Sequence, residues 1–180
     1  MTATPTPRTA TPAPASAPTP GPVLSTDDAM WQHIATVHAH VEERLATAVQ
    51  RRHGLGLSEY RALGHLAATD KNELRMQELA DKVGLNQSSV TRLVSRLQAA
   101  GFTYRDLCPD DRRGVYTVLT DEGRARHAEA RPTYEQTLTA ALDDTAQASP
   151  ALGALIAAMR ATELASENGS QPGGSGGRLK

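Results

Sequence analysis

The chain has 180 residues, 39% of them hydrophobic and 22% charged. That is enough for one packed domain, and no run of 18 apolar residues offers a membrane span. Its net charge is −1, from 19 Lys+Arg against 20 Asp+Glu, so a uniformly basic nucleic-acid binder is excluded. A single cysteine, Cys108, excludes an intrachain disulfide framework and fits a reducing cytoplasm. The opening residues lack the apolar core of a secretory signal.

Seven of the 11 prolines fall in the first 22 residues, and five of the 14 glycines lie between Gly169 and Gly177. Residues 1–25 therefore read as a disordered Pro/Thr/Ala-rich tail and 166–180 as a flexible Gly/Ser tail. Residues 26–165 remain as the folded part.

The first helix is expected to start near Thr26 or Asp27, either of which suits an N-cap. Met30, Ile34, Val37, Val41, Leu45 and Ala48 recur at helical spacing to about Arg52, where HGLG stops the pattern. A helix this long in a small domain often packs on another subunit, and Trp31 fits a dimer core. A second helix is expected from an N-cap at Ser58 to about Ala68. A polar loop, TDKNE, follows. RMQELADKV and NQSSVTRLVSRLQAA then read as two helices broken at Gly84, with Asn86 or Gln87 capping the second and Gly101 ending it.

The period then changes. Phe102 to Asp106 and Val115 to Leu119 read as two strands around a CPDDRRG turn, making a hairpin. Thr120 is expected to cap the next helix, which Pro132 should kink or divide. A last helix is expected over roughly 150–164. The fold class is mainly α with a small β-hairpin wing: a winged helix-turn-helix lobe (57–119) flanked by long helices (26–53 and 120–165).

Charge is unevenly placed. Between Asn86 and Tyr116 there are five arginines and three aspartates, with no Lys or Glu, so this window is +2. Short polar residues open the second helix of the pair, while Val90, Leu93, Val94 and Leu97 form its opposite face. A helix polar at its N-terminal end and aliphatic behind suits a major groove about 12 Å wide, where Gln and Arg read base edges. Arg75, Gln87, Ser88, Ser89, Thr91, Arg92 and Arg96 are the helical candidates for DNA contact. Arg112 and Arg113 in the hairpin turn are candidates for a minor groove, with Asp111 orienting them.

The segment LRMQELADKVGLNQSSVTRLVSRLQAAGF, followed by CPDDRRGVYTVLTDEG, resembles the winged helix-turn-helix core of the MarR family of bacterial transcription regulators. The features that carry the likeness are ELA, VTRLV, the AAG stop, the P-x-D-R-R-G wing and the LT-x-x-G helix start. The resemblance implies a homodimer joined by the first and the last two helices. It implies a pseudo-palindromic operator read by one helix per half-site, a wing-tip role for Arg113 and an orienting role for Asp111. It further implies a small phenolic or aromatic carboxylate effector between the dimer helices and the lobe, for which His38, Tyr60 and His65 are candidates.

Other readings are weaker. Cys108 sits among arginines but is expected to be a passive thiol, because the oxidant-sensing members of the family place theirs near the N-terminus. The six histidines lack a metal-binding spacing, so no metal and no cofactor is expected. No G-x-S-x-G, phosphate loop or dinucleotide motif is present, so the chain is not expected to be an enzyme. The function expected is a cytoplasmic, ligand-responsive repressor on double-stranded DNA. Alternatives are a winged-helix protein-interaction module and an architectural DNA binder without effector.

Overall fold

The computed structural model describes residues 25–107 and 115–169. Residues 1–24 and 170–180 of the expected tails, and the hairpin turn carrying Cys108, Asp111, Arg112 and Arg113, lie outside the described residues, whereas Ser25 caps the first helix and residues 166–169, expected as tail, extend the last one. The order is α1 (Thr26–His53), α2 (Leu57–Ala67), β1 (Glu73–Arg75), α3 (Met76–Val83), α4 (Gln87–Ala99), β2 (Thr103–Leu107), β3 (Val115–Leu119), α5 (Asp121–Ala148) and α6 (Pro150–Gly169).

Local chemistry sets the boundaries, in two places differently from the sequence reading. Ser25, not Thr26 or Asp27, caps α1, its hydroxyl accepting from the Asp28 N–H. Gly56, not Ser58, precedes α2, and the Glu59 carboxylate reaches back to accept its N–H at 2.9 Å. Asn86 caps α4 by accepting from the Ser89 N–H, and Thr120 caps α5 by accepting from the Gly123 N–H. Gly54, Gly84 and Gly101 all take positive φ, the left-handed conformation that ends a helix at little cost to glycine.

The expected two-stranded hairpin is part of a three-stranded antiparallel sheet in the order β1-β3-β2. The extra strand comes from the stretch read as loop and helix start. Leu74 pairs with Thr117 and Arg75 with Tyr116. Three residues carry too little periodicity to show as a strand; β3 imposes it from outside. Asn72, at φ 58°, turns the chain into β1 and accepts the Leu119 N–H through its carbonyl. The first hairpin strand begins at Thr103, one residue later than expected, and α6 runs five residues beyond the expected end at Leu164.

Pro132 does not divide α5, which is continuous from Asp121 to Ala148. Proline removes one helical hydrogen bond, and packing on either side of it compensates: Ala130 and Thr133 are both buried.

Two apolar clusters organise the chain. One joins α2, α3, α4 and the sheet to Val49 of α1 and Ala130 of α5. The other joins Val41 and Leu45 of α1 to Leu57 of α2 and Ala141 of α5. Leu45, Leu63, Leu66, Leu79, Leu93 and Leu97 are essentially inaccessible, each contributing about 1.5–3 kcal/mol on burial. No helix of the described residues is long and apolar enough to cross a membrane.

Gly123 is where α5 meets the end of α4. A Cβ there would lie 2.2 Å from the Phe102 carbonyl oxygen and 2.9 Å from the Leu119 side chain. Gly123→Ala is expected to destabilise the fold by roughly 1–3 kcal/mol through overpacking, read as a lower urea midpoint at unchanged slope.

Candidate nucleic-acid interface

α4 is held by one face only. Val90, Leu93, Val94 and Leu97 are at most 1% exposed, whereas Gln87, Ser88, Thr91, Arg92, Ser95 and Arg96 are exposed. The spacing of three and four that buries the aliphatics turns the polar residues outward. No acid lies in the first turn of α4, so the positive end of its helix dipole is not offset by a side chain.

Small side chains at that end are ordered from within. The Ser88 hydroxyl donates to Asn86 Oδ1 at 2.9 Å, and the Thr91 hydroxyl donates to the Gln87 carbonyl at 2.8 Å. Each keeps oxygen lone pairs outward. Gln87 and Arg92 have no side-chain partner among the described residues. Ser89 is half-buried, its N–H spent on Asn86. Arg96 is exposed but engaged, its Nε donating to Glu59 Oε1 at 2.7 Å. Arg75 stands at the sheet edge, its Nε donating to the Tyr116 hydroxyl at 2.8 Å with the guanidinium 5.4 Å from that ring's centroid. Gln87, Ser88, Thr91 and Arg92 thus share one solvent-facing surface at the start of α4.

The effector candidates separate. His38 lines a cleft of about 610 Å³ between α1, α5 and α6, walled mainly by Val41, Leu45, Leu138, Leu155, Ile156 and Met159. Tyr60 does not line that cleft. It is buried, its ring stacked between His127 at 4.7 Å and Tyr134 at 4.6 Å. Burial, with Tyr134 close by, raises the Tyr60 pKa. His65 is half-buried on α2 and away from the cleft; burial, then the nearby Lys82, lowers its pKa.

Sequence reading found His38 but missed the ion pair of the cleft. Glu42 and Arg61 face each other there as a two-pronged ion pair, Arg61 Nη1 lying 3.2 Å from Glu42 Oε2. The hydrogen bonds that Arg61 donates to the Glu42 carboxylate raise the Arg61 pKa further. They are 19 residues apart on different helices, so only the α1–α2 packing brings them together. Tyr134 also lines the cleft, one aromatic residue beyond Pro132 that no periodicity singled out. No cluster of three metal-ligating side chains occurs among the described residues.

A helix pair with a small sheet beside it, set between long flanking helices, defines the winged helix-turn-helix class. Residues 53–114 match the sequence model of the MarR family. An uncharacterized HTH-type transcriptional regulator of Bacillus subtilis, YkoM, is 30% identical over 73 residues, which cover 41% of this chain and 46% of YkoM. A second from that organism, YcgE, is 44% identical over 62 residues, covering 34% of this chain and 40% of YcgE. The matched part thus spans less than half the length of these relatives. A MarR family transcriptional regulator from Streptomyces coelicolor, solved in complex with DNA, superposes with a TM-score of 0.63 at 28% identity, covering 88% of this chain and 97% of that one. AbsC, a MarR family regulator of the same organism, shares the fold with a TM-score of 0.62 at 21% identity, over 78% of this chain and 99% of AbsC.

Burial, then the positive charge of Arg131, lowers the His127 pKa below its usual 6.5. The folded state therefore takes up this proton less readily than the unfolded chain. Its contribution is fully present above about pH 6.5 and is lost as pH falls below that value. The urea midpoint of the protein is expected to drop between pH 7 and pH 5, and His127→Gln should make that drop shallower.

Proposed function

We propose that the chain is a sequence-specific, double-stranded-DNA-binding transcription regulator, a homodimeric and ligand-responsive repressor acting on a pseudo-palindromic operator. The observation that carries the reading is the presentation of α4. Its aliphatic face is locked into the core, while its N-terminal polar face is solvent-exposed, with Gln87 and Arg92 uncommitted among the described residues. Such a helix reads base edges in a major groove, each bidentate pair discriminating by about 1–3 kcal/mol. Ser88, Ser89 and Thr91 set the close approach to phosphates and Arg75 flanks them at the sheet edge. Arg112 and Arg113, with Asp111 orienting them, are assigned to the wing from sequence resemblance. The Streptomyces relative solved with DNA supports the same partner.

Dimerisation is supported by apolar side chains left uncovered in the single chain. Met30, Trp31 and Ile34 of α1 and Leu155 and Met159 of α6 are 39–65% exposed, more than a monomer usually leaves in two neighbouring helices. A second copy covering them sets the two α4 helices at the spacing of successive DNA turns, about 34–36 Å. The apolar cleft beside His38, Arg61 and Glu42 is the effector site in this reading. A ligand there shifts the equilibrium only by its differential affinity for the two dimer shapes. The fold suits a protein located in the cytoplasm.

The near-neutral net charge favours a second reading, a winged-helix module that binds protein. Salt dependence separates the two. Duplexes selected from a random pool should bind with log Kd rising steeply with log salt, by about 0.9 per phosphate contacted. Gln87→Ala and Arg92→Ala should each cost roughly 1–3 kcal/mol in affinity for the selected duplex, with unchanged circular dichroism. Absence of duplex binding in low salt, or a flat response, transfers the assignment to the protein-interaction module.

A further inference from the structure

We propose that Glu59 is a positioning residue for α4, and that Arg96 works through Glu59 rather than on the nucleic acid. The proposal rests on reading α4 as the recognition helix. Both oxygens of the Glu59 carboxylate are occupied. Oε2 accepts the Gly56 N–H at 2.9 Å and Oε1 accepts Arg96 Nε at 2.7 Å. The carboxylate is largely withdrawn from water, its side chain 16% exposed against 61% for Arg96. One group therefore ties together the start of α2, the last turn of α4 and the Gly54–Gly56 link to α1.

The arrangement is electrostatically consistent at both ends. Glu59 stands in the first turn of α2 and Arg96 in the last turn of α4. Each charge opposes the dipole of its own helix as well as its partner. Arg92 lies one turn earlier on the same exposed side and has no partner among the described residues. The two arginines of α4 thus divide the work: Arg92 is presented outward, and Arg96 is spent within the lobe. Aliphatic burial fixes how deep α4 sits, but four branched side chains in a row leave its tilt to be set at one end. Glu59 supplies that second point.

Glu59→Gln keeps an amide oxygen for the Gly56 N–H and removes the charge facing Arg96, so it isolates the ion pair from the cap. Its affinity for a selected duplex is compared with those of Arg96→Gln and the double variant over a salt series. Each single variant should bind roughly threefold to thirtyfold more weakly. The double variant should be no weaker than the weaker single, and all should keep the salt slope of the unmutated chain. An Arg96→Gln slope shallower by about 0.9, with Glu59→Gln binding normally, makes Arg96 a phosphate ligand and overturns the proposal. Losses that multiply in the double variant, or no loss in either single, overturn it as well. If the unmutated chain binds no duplex in low salt, the regulator reading fails instead. The strut is then read in the free protein. The Arg96 Nε–H should exchange slowly in the unmutated chain and fast in Glu59→Gln, and equal exchange in both overturns it.

Discussion

Val90, Leu93, Val94 and Leu97 have to enter the same core as Leu63, Leu66 and Leu79, and that requirement orients everything outward of them. Burying these four side chains together fixes the rotation of α4 about its own axis, so that a single face is left for solvent. That face carries Gln87, Ser88, Thr91 and Arg92. A surface built this way needs no loop to hold it. Its precision is the precision of core packing, where a side chain misplaced by one methylene group is felt.

Electrostatics then acts on a surface already placed. The chain is nearly neutral as a whole, yet α4 has two arginines and no acid. Long-range attraction is weak for such a protein, and the affinity of the proposed complex rests on short-range contacts at the start of the helix. Five other arginines are neutralised within the fold: Arg44 by Asp144, Arg61 by Glu42, Arg126 by Glu129, Arg131 by Glu135 and Arg160 by Asp143. Arg96 is itself paired with Glu59, so the positive charge that α4 presents is that of Arg92, which escapes such pairing among the described residues.

The helix α4 was legible because it combines a cap, an apolar period and a glycine stop, at Asn86, Val90–Leu97 and Gly101. What was not legible depended on neighbours distant in sequence. β1 is a strand only because Thr117 and Tyr116 lie beside it. Pro132 looked like a break, yet packing around Ala130 and Thr133 carries the helix past it. Ser58 fits a cap by type, but Glu59 makes Gly56 the better start. In the cleft, His38 was visible as a polar residue on an apolar stripe. Arg61, Glu42 and Tyr134 were not, since pairing across helices leaves no spacing to detect. Tyr60 drew attention as an aromatic residue on the right helix, but the structure spends it in a ring stack. For Arg96, residue type was evident and its partner was not.

The backbone passes between the helical pair α1 and α5 and the lobe at two links of unequal character. Gly54 links α1 to α2 through a left-handed residue with open space around it, whereas Gly123 presses the start of α5 directly onto backbone at Phe102. A body fastened at two points can only turn about the line joining them. Reorientation of α4 relative to the long helices is easiest as a swing about that axis, loose at one bearing and seized at the other. In the proposed dimer, the spacing between two such lobes then follows that single angle.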